Sequence, residues 1–217
     1  MAEVASGTSL KTIVVGPLEV NCYILSDAET LDAFIIDPGA DADEILDFVK
    51  KKNLKVARII NTHGHYDHIG ADEPVRKALN ARLAVHKNDA RLFNEAEDHG
   101  ALYGIRIENP GPPDEFLRHG MELKAGGLCL RVIHTPGHTR GGVCLHDRAN
   151  KLLFTGDTLF AGGIGRTDFE GGSMEEIMDS IRTKIFSLDE ATKVYPGHGP
   201  STTIGREKRT NPFAASL

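Results

Sequence analysis

Short apolar runs separated by turn residues open the chain and predict β-strands. They lie at 12–16 (TIVVG), 21–25 (NCYIL) and 33–37 (AFIID), which together predict a meander. A fourth run, VARIINT at 56–62, predicts a strand that leads directly into a histidine-rich loop. Further strands are predicted at 82–86, 128–134, 142–147, 151–157 and 192–199.

Three segments change to helical spacing of their apolar residues. Segment 41–52 has one apolar face, and Asp41 with Glu44 has the spacing of a capping box. A second helix is predicted over 72–80, with Asp72 near its cap. The third helix begins at the capping-box pair Ser173 and Glu176, and it has an apolar stripe that we expect to be buried, formed by Met174, Ile177, Met178, Ile181 and Ile185. Strands alternating with helices predict a layered α/β domain.

The polar stretch from Lys87 to His119 lacks the apolar periodicity of a core element. We expect it to form a long loop or lid, with one helix over 88–97. His99 and Tyr103 lie in this stretch and are candidates for a pocket wall. The histidines outside the motifs described next are expected to be structural: His86, His99, His119, His134 and His146.

Composition narrows the class of protein. The formal net charge of −6 over 217 residues disfavours a nucleic-acid partner. Neither a signal peptide nor a stretch long and apolar enough to span a membrane is evident. Cys22, Cys129 and Cys144 are widely spaced and lie in apolar surroundings, which predicts buried thiols in a reducing compartment. We therefore expect a cytoplasmic protein.

Metal-binding side chains are concentrated in one loop, NTHGHYDHIG. His63 and His65 alternate in an extended segment, so that both side chains can point toward one ion. Asp67 and His68 follow past a turn and can face a second ion beside the first. Imidazole and carboxylate ligands suit zinc, iron or manganese.

Three later residues complete a candidate metal site. His138 (TPGHT), Asp157 (TGDTLF) and His198 (PGHG) each follow a predicted strand and have a neighbouring glycine. Glycine permits a sharp turn and lets a short side chain approach an ion. The ordered recurrence of this pattern predicts a site for two divalent cations, with zinc favoured and iron or manganese as alternatives.

These motifs resemble those of the metallo-β-lactamase superfamily, and within it those of the glyoxalase II group, the hydroxyacylglutathione hydrolases. The similarity rests on THGHYDHIG, HTPGHTRGGVCL, LLFTGDTLFAGGIGRTDFEGG and VYPGHG. It implies an αββα sandwich with the site at one edge of the two sheets. It also implies that one cation is held by His63, His65 and His138, the other by Asp67, His68 and His198, and that Asp157 bridges them.

The expected chemistry is hydrolysis of a thioester such as S-lactoylglutathione. Two cations that share one water lower its pKa and supply a metal-bound hydroxide, which attacks the thioester carbonyl. Asp67 is the candidate catalytic residue, since it can orient the hydroxide. Arg166 lies in a segment similar to one that binds glutathione, so that it is the candidate substrate ligand; an ordinary ion pair with Asp168 is the alternative.

The sequence departs from full-length glyoxalase II enzymes after His198. Too few residues follow for their C-terminal helical domain, which predicts a single domain over 1–217 of the short glyoxalase II-like branch. A mononuclear iron persulfide dioxygenase of the same fold is the enzymatic alternative, and a non-catalytic metal-binding scaffold is another. The sequence leaves the oligomeric state open.

Overall fold

Two β-sheets pack face to face in the computed structural model, which describes residues 2–3 and 7–214. In the first sheet the strands follow chain order, antiparallel from β1 to β4 and parallel from β4 to β7. Its strands are β1 (Ala2–Glu3), β2 (Thr8–Val15), β3 (Val20–Asp27), β4 (Asp32–Ile36), β5 (Lys55–Ile60), β6 (Arg82–His86) and β7 (Glu115–Leu117).

The second half of the chain forms the other sheet and a small hairpin. Its strands are β8 (Glu122–Ala125), β9 (Leu128–His134), β10 (Val143–Asp147), β11 (Leu152–Gly156), β12 (Leu159–Phe160), β13 (Gly163–Ile164), β14 (Lys193–Pro196) and β15 (Thr202–Thr203). The order across this sheet is β15-β14-β11-β10-β9-β8, and β12 pairs with β13 separately. Because β11 and β14 are parallel, their carboxyl ends meet at one edge.

Helices cover both outer faces. They are α1 (Ala42–Lys51), α2 (Tyr66–Ile69), α3 (Asp72–Leu79), α4 (Ala90–Asn94), α5 (Ala96–Leu102), α6 (Met174–Ser180) and α7 (Ile204–Thr210), with a 3-10 turn at Lys87–Asp89 and a π-helical continuation of α6 at Ile181–Ile185. One apolar cluster lies between the sheets, a second joins the first sheet to α1 and α3, and a third joins the other sheet to α6. The predicted αββα sandwich is therefore confirmed.

Aromatic residues connect the sheets beneath their common edge. Tyr23 of β3 lies 5.2 Å from Phe154 of β11 and 5.7 Å from Tyr195 of β14, measured between ring centroids. The Tyr23 hydroxyl donates to the carbonyl of Pro196 at 2.6 Å. This bond fixes the end of β14 immediately before the loop that carries His198.

The predicted capping box of α1 does not form, because the Asp41 carboxylate has another partner. Asp41 adopts a left-handed conformation with a φ of 53°, and its carboxylate accepts from the amide of Gly16 at 2.8 Å instead of capping α1. Asp72 lies next to the N-cap of α3 as predicted, and its carboxylate accepts from the Asn61 side chain at 3.2 Å. Ser173 does cap α6, through the amide of Glu176.

Three further expectations need correction. The helix predicted over 88–97 is divided into a 3-10 turn, α4 and α5, and the predicted lid ends in strand β7, which joins the first sheet. Met174, the first residue of α6, is 50% exposed, whereas Ile177, Ile181 and Ile185 are buried. Cys22 and Cys144 are buried as predicted, but Cys129 is only partly so. No helix in the described ranges combines the length and the apolar character needed to cross a bilayer.

Phe34 tests the packing between the sheets. Its side chain is fully buried at the centre of the first sheet. Phe34→Ala should lower the free energy of unfolding by about 3–5 kcal/mol, since it removes apolar contacts and leaves a cavity. The matched control is Phe116→Ala in β7, whose side chain is 48% exposed, with an expected loss of about 1 kcal/mol or less. Urea denaturation measures both, and equal losses would contradict the assignment of the core.

Candidate metal centre

Loops at the carboxyl ends of four strands bring all the predicted metal-binding residues together. His63 and His65 follow β5, and Asp67 and His68 lie on α2 directly after them. The other three residues follow β9, β11 and β14, in the order His138, Asp157 and His198. The parallel register of β11 and β14 explains why the last two loops are adjacent.

A glycine permits the closest of these approaches. A Cβ added to Gly197 would lie 2.2 Å from Asp157 Oδ1 and 2.7 Å from His68 Cε1. Any other residue at this position would collide with the candidate ligands. The glycine before His198 is therefore needed for space at the site.

The first cluster consists of His63, His65 and His138. One ligand atom of each lies within 4.8 Å of the other two. The shortest of the distances is 3.0 Å, between His65 Nδ1 and His138 Nε2. Three imidazoles at this separation can bind one cation.

The second cluster consists of Asp67, His68 and His198, again with ligand atoms within 4.8 Å of one another. The Nε2 atoms of His68 and His198 are 3.3 Å apart, and Asp67 Oδ2 lies 3.5 Å from His198 Nε2. Two nitrogens and a carboxylate oxygen form a donor set typical of a divalent transition metal.

Asp157 lies between the two clusters. Its Oδ1 is 3.5 Å from His68 Nε2, and its Oδ2 is 3.6 Å from His138 Nε2. Oδ2 is also 3.7 Å from His198 Nε2, so that the carboxylate lies within reach of ligand atoms of both clusters, as a bridging ligand requires. Sequence similarity had implied this role, and the geometry is compatible with it.

The outer nitrogens of two histidines are fixed by main-chain carbonyls. His138 Nδ1 lies 2.7 Å from the carbonyl oxygen of Arg166, and His198 Nδ1 lies 2.9 Å from that of Leu18. A carbonyl only accepts, so that each Nδ1 must donate. In the neutral imidazole the Nε2 lone pair then points into the site, as metal-binding histidines require.

Asp37, which sequence reasoning missed, connects the two clusters through hydrogen bonds to the outer side of their histidines. It accepts from the Thr62 amide at 2.7 Å and the Thr62 hydroxyl at 2.6 Å, and its Oδ2 lies 3.0 Å from His68 Nδ1. The Thr62 hydroxyl is also 3.1 Å from His63 Nδ1, where it can accept that proton. Although Asp37 lies close enough to His63 and His68 to be grouped with them as a metal ligand, its oxygens are already engaged. We interpret it as an orienting residue.

Asp89 joins the two ligand loops and was also missed. Its carboxylate accepts from the Gly64 amide at 3.0 Å, the Thr139 hydroxyl at 2.7 Å and the Gly141 amide at 2.6 Å. Burial raises the pKa of Asp89, although these hydrogen bonds oppose the rise. The loop of His65 and the loop of His138 are therefore held at a fixed separation.

Two buried polar atoms of the site have no hydrogen-bond partner within the described part of the chain: His63 Nε2 and Asp157 Oδ1. An unpaired polar atom in a protein interior is costly unless an ion or water satisfies it. Both atoms belong to residues of the predicted ligand set. Their orphan state is the observation that favours a metal here over a purely hydrogen-bonded core.

The electrostatics of the site also favour a cation. Burial lowers the pKa of His65 to about 3, with neighbouring His138 adding to the effect, so that this imidazole stays neutral and can act as a ligand. Burial acts in the same direction on His68, but Asp157 and Asp67 outweigh it and raise the pKa of His68 to about 10. Where His68 faces the carboxylates, positive charge is thus strongly stabilised. The donor set fits zinc, iron or manganese.

A cleft of about 710 Å³ opens over the two clusters. His99 and Tyr103 line it, as expected, and Tyr66 stacks on Tyr103 with ring centroids 5.4 Å apart. Arg166 also lines the cleft, but its guanidinium pairs with Asp168 at 2.9 and 2.8 Å. The ion pair that the sequence left as an alternative is therefore present.

Known proteins share this architecture over nearly the whole chain. Residues 15–198 match the family model of the metallo-beta-lactamase superfamily. The chain is 36% identical to the hydroxyacylglutathione hydrolase GloC of Haemophilus influenzae, a match that covers 96% of this chain and 99% of GloC.

Solved structures agree with these matches. The crystal structure of BLEG-1 B3 metallo-beta-lactamase has a TM-score of 0.89 at 38% identity and covers 95% of this chain and 99% of its own. TTHA1623 in a di-iron-bound form has a TM-score of 0.87 at 36% identity, with 94% and 99% covered.

The role of Asp157 can be tested by its removal. Asp157→Ala deletes the carboxylate that faces both clusters, so that we expect the purified variant to retain less than half of the metal bound by the original protein. Asp179→Ala on exposed α6 is the matched control and should retain all of it. Elemental analysis measures the metal content. Full metal content in Asp157→Ala would disprove the bridging role.

The orienting role of Asp37 can be tested by a conservative substitution. Asp37→Asn keeps the shape but weakens the acceptor for His68 and Thr62, and metal affinity should fall about 10- to 100-fold, as is usual for such outer partners. Asp147→Asn alters an equally buried turn aspartate away from the site and should leave affinity unchanged. Competition with a zinc chelator measures both affinities, and equal values in the two variants would remove Asp37 from the site.

Proposed function

The chain belongs to the metallo-beta-lactamase superfamily, and from that membership we propose that it is a metal-dependent hydrolase of thioesters, acting on S-lactoylglutathione or a related acyl thiol. Members of the superfamily are generally hydrolases. The observation that carries the proposal is the position of Asp157 between two three-residue clusters at the floor of an open cleft. A structural metal would need no such opening.

Each cluster would hold one divalent cation. His63, His65 and His138 would bind the first, Asp67, His68 and His198 the second, and Asp157 both. When bound, such a pair supplies Lewis acidity and lowers the pKa of a coordinated water toward neutrality.

Asp67 is the proposed catalytic residue of the chain itself. Its side chain is 15% exposed and lines the cleft, whereas the neighbouring His68 is fully buried. Its carboxylate can accept a hydrogen bond from the attacking water and fix its orientation toward the substrate carbonyl. Orientation of this kind is a substantial part of catalysis in a site with preorganised groups.

The chemistry of the leaving group favours a thioester as the substrate over an amide. A thiol has a pKa of about 8.5, so that a thiolate departs without first being protonated. An amine leaving group needs a general acid. Tyr66, which lines the cleft beside Asp67, is poorly suited to that role, since burial and the charge of Asp67 raise its pKa.

Similarity to GloC supports the same choice of substrate. GloC is named a hydroxyacylglutathione hydrolase, and the alignment covers 99% of its length. A protein of about this length therefore carries that name without a large additional segment. We propose by analogy that residues 1–217 act as one domain and need no C-terminal helical domain for hydrolysis.

A direct assay tests the proposal. The protein loaded with zinc should release thiol from S-lactoylglutathione. Asp67→Ala should lower kcat by about 100-fold or more, since it removes both a ligand of the second cation and the group that orients the water. Chelation should abolish the activity and added zinc should restore it.

The alternatives predict different results in the same experiment. A persulfide dioxygenase would contain a single iron and consume oxygen with glutathione persulfide, without thioester hydrolysis. A non-catalytic scaffold would turn over neither substrate while holding its metal. Either result would contradict the proposed function.

A further inference from the structure

Two arginines of the cleft are already neutralised by carboxylates. Arg91 on α4 lies 2.7 Å from Glu95 and 2.8 Å from Glu170. Arg166 forms its two-point pair with Asp168, and its guanidinium also lies 4.3 Å from the centre of the Phe169 ring. The charge of each guanidinium is therefore already compensated by a carboxylate of the chain itself.

Arg140 is different, although it lines the same cleft. Among the residues that the structure describes, no carboxylate pairs with its guanidinium, and Asn88 and His134 both bind its main-chain carbonyl instead. It follows His138 by only two positions. The charge of Arg140 is therefore the uncompensated arginine charge of this cleft.

The backbone around Arg140 is held in place. Its carbonyl accepts from His134 Nε2 at 3.0 Å and from the Asn88 side chain at 3.4 Å. The residues on either side, Thr139 and Gly141, both donate to Asp89. The base of the side chain is thus fixed relative to the ligand loops, as a substrate-binding residue requires.

A glycine makes room for the side chain of Arg140. Gly171 has a φ of +86°, and a Cβ there would lie 3.2 Å from Arg140 Cγ and 3.4 Å from its Nε. The side chain of Arg140 therefore passes through the space that a β-carbon at position 171 would restrict. A glycine there leaves the arginine room to lie in the cleft.

We propose that Arg140 binds a carboxylate of the substrate at a distance from the scissile thioester. A planar guanidinium carries one positive charge and can form two parallel hydrogen bonds to one carboxylate. This inference rests on the proposed hydrolase function and assigns its substrate class: thioesters that carry a free carboxylate. It also moves the anion-binding role that the sequence gave to Arg166 onto Arg140.

A matched pair of substrates tests the proposal. S-lactoylglutathione and its dimethyl ester share the same acyl group and sulfur, but the ester has no free carboxylate. The ratio of their kcat/KM values should favour the free acid in the original protein. In Arg140→Gln this ratio should fall about 10- to 100-fold, chiefly through a higher KM for the free acid. Arg140→Lys should recover part of the preference, since it restores the charge without the planar fork.

Two control variants isolate the effect. Arg148→Gln removes an exposed arginine that does not line the cleft, and the ratio should be unchanged. Arg166→Gln should change the ratio less than Arg140→Gln. Metal content is measured in every variant, and Arg140→Gln should bind as much metal as the original protein.

The possible outcomes separate this inference from the proposed function. An unchanged ratio in Arg140→Gln, or a larger fall in Arg166→Gln, would overturn the role of Arg140. Hydrolysis of both thioesters by the original protein would leave the hydrolase function intact in that event. A fall in the ratio confined to Arg140→Gln, with metal retained, would support the inference.

Discussion

The site depends on hydrogen bonds that turn the lone pairs of several imidazoles toward one another. His138 and His198 each donate an outer proton to a carbonyl, so that their inner nitrogens can act only as acceptors when neutral. Acceptors directed at a common point, with carboxylates beside them, are strongly stabilised by a positive charge placed among them. A pair of cations shared through Asp157 satisfies this requirement, and it gives a chemical reason for the convergence of loops that are distant in sequence.

The fold provides the rigid support for this arrangement. Strands of both sheets end at one edge, and buried aromatic contacts such as that of Tyr23 with Phe154 hold the sheets together beneath it. Hydrogen bonds of Asp37 and Asp89 then fix the loops to the sheets and to each other. The core therefore determines the positions of the ligands, while the surface of the cleft remains free to determine the substrate.

The sequence predicted the αββα layers and the metal-binding loops, because both can be recognised from the spacing of residues that are close together in the chain. Alternating and helical spacing identified most strands and the helix of Ile177, and the three later ligands each follow a strand and have a neighbouring glycine. Strand β7 escaped prediction because it has only three residues and is paired through distant β6. The supporting carboxylates were missed for a similar reason. Asp37 at the end of β4 has the same strand-end position as Asp157, but its partners are 25 and 31 residues away.

Ion pairing also determines which arginine of the cleft is proposed to bind the substrate. The sequence left Arg166 as either a substrate ligand or the partner of Asp168, and only the fold shows that the ion pair forms. Arg166 itself has a structural role: its side chain pairs with Asp168, and its carbonyl oxygen accepts a hydrogen bond from His138. Specificity in this cleft thus depends on contacts that no local pattern records.

Anomalous diffraction from crystals of the metal-loaded protein tests the central claim most directly. We expect two peaks at the absorption edge of the bound metal, one among His63, His65 and His138 and the other among Asp67, His68 and His198, with Asp157 in contact with both. Peaks located elsewhere, or the same histidines joined only by hydrogen bonds in protein purified with its metal, would contradict the two-cation site.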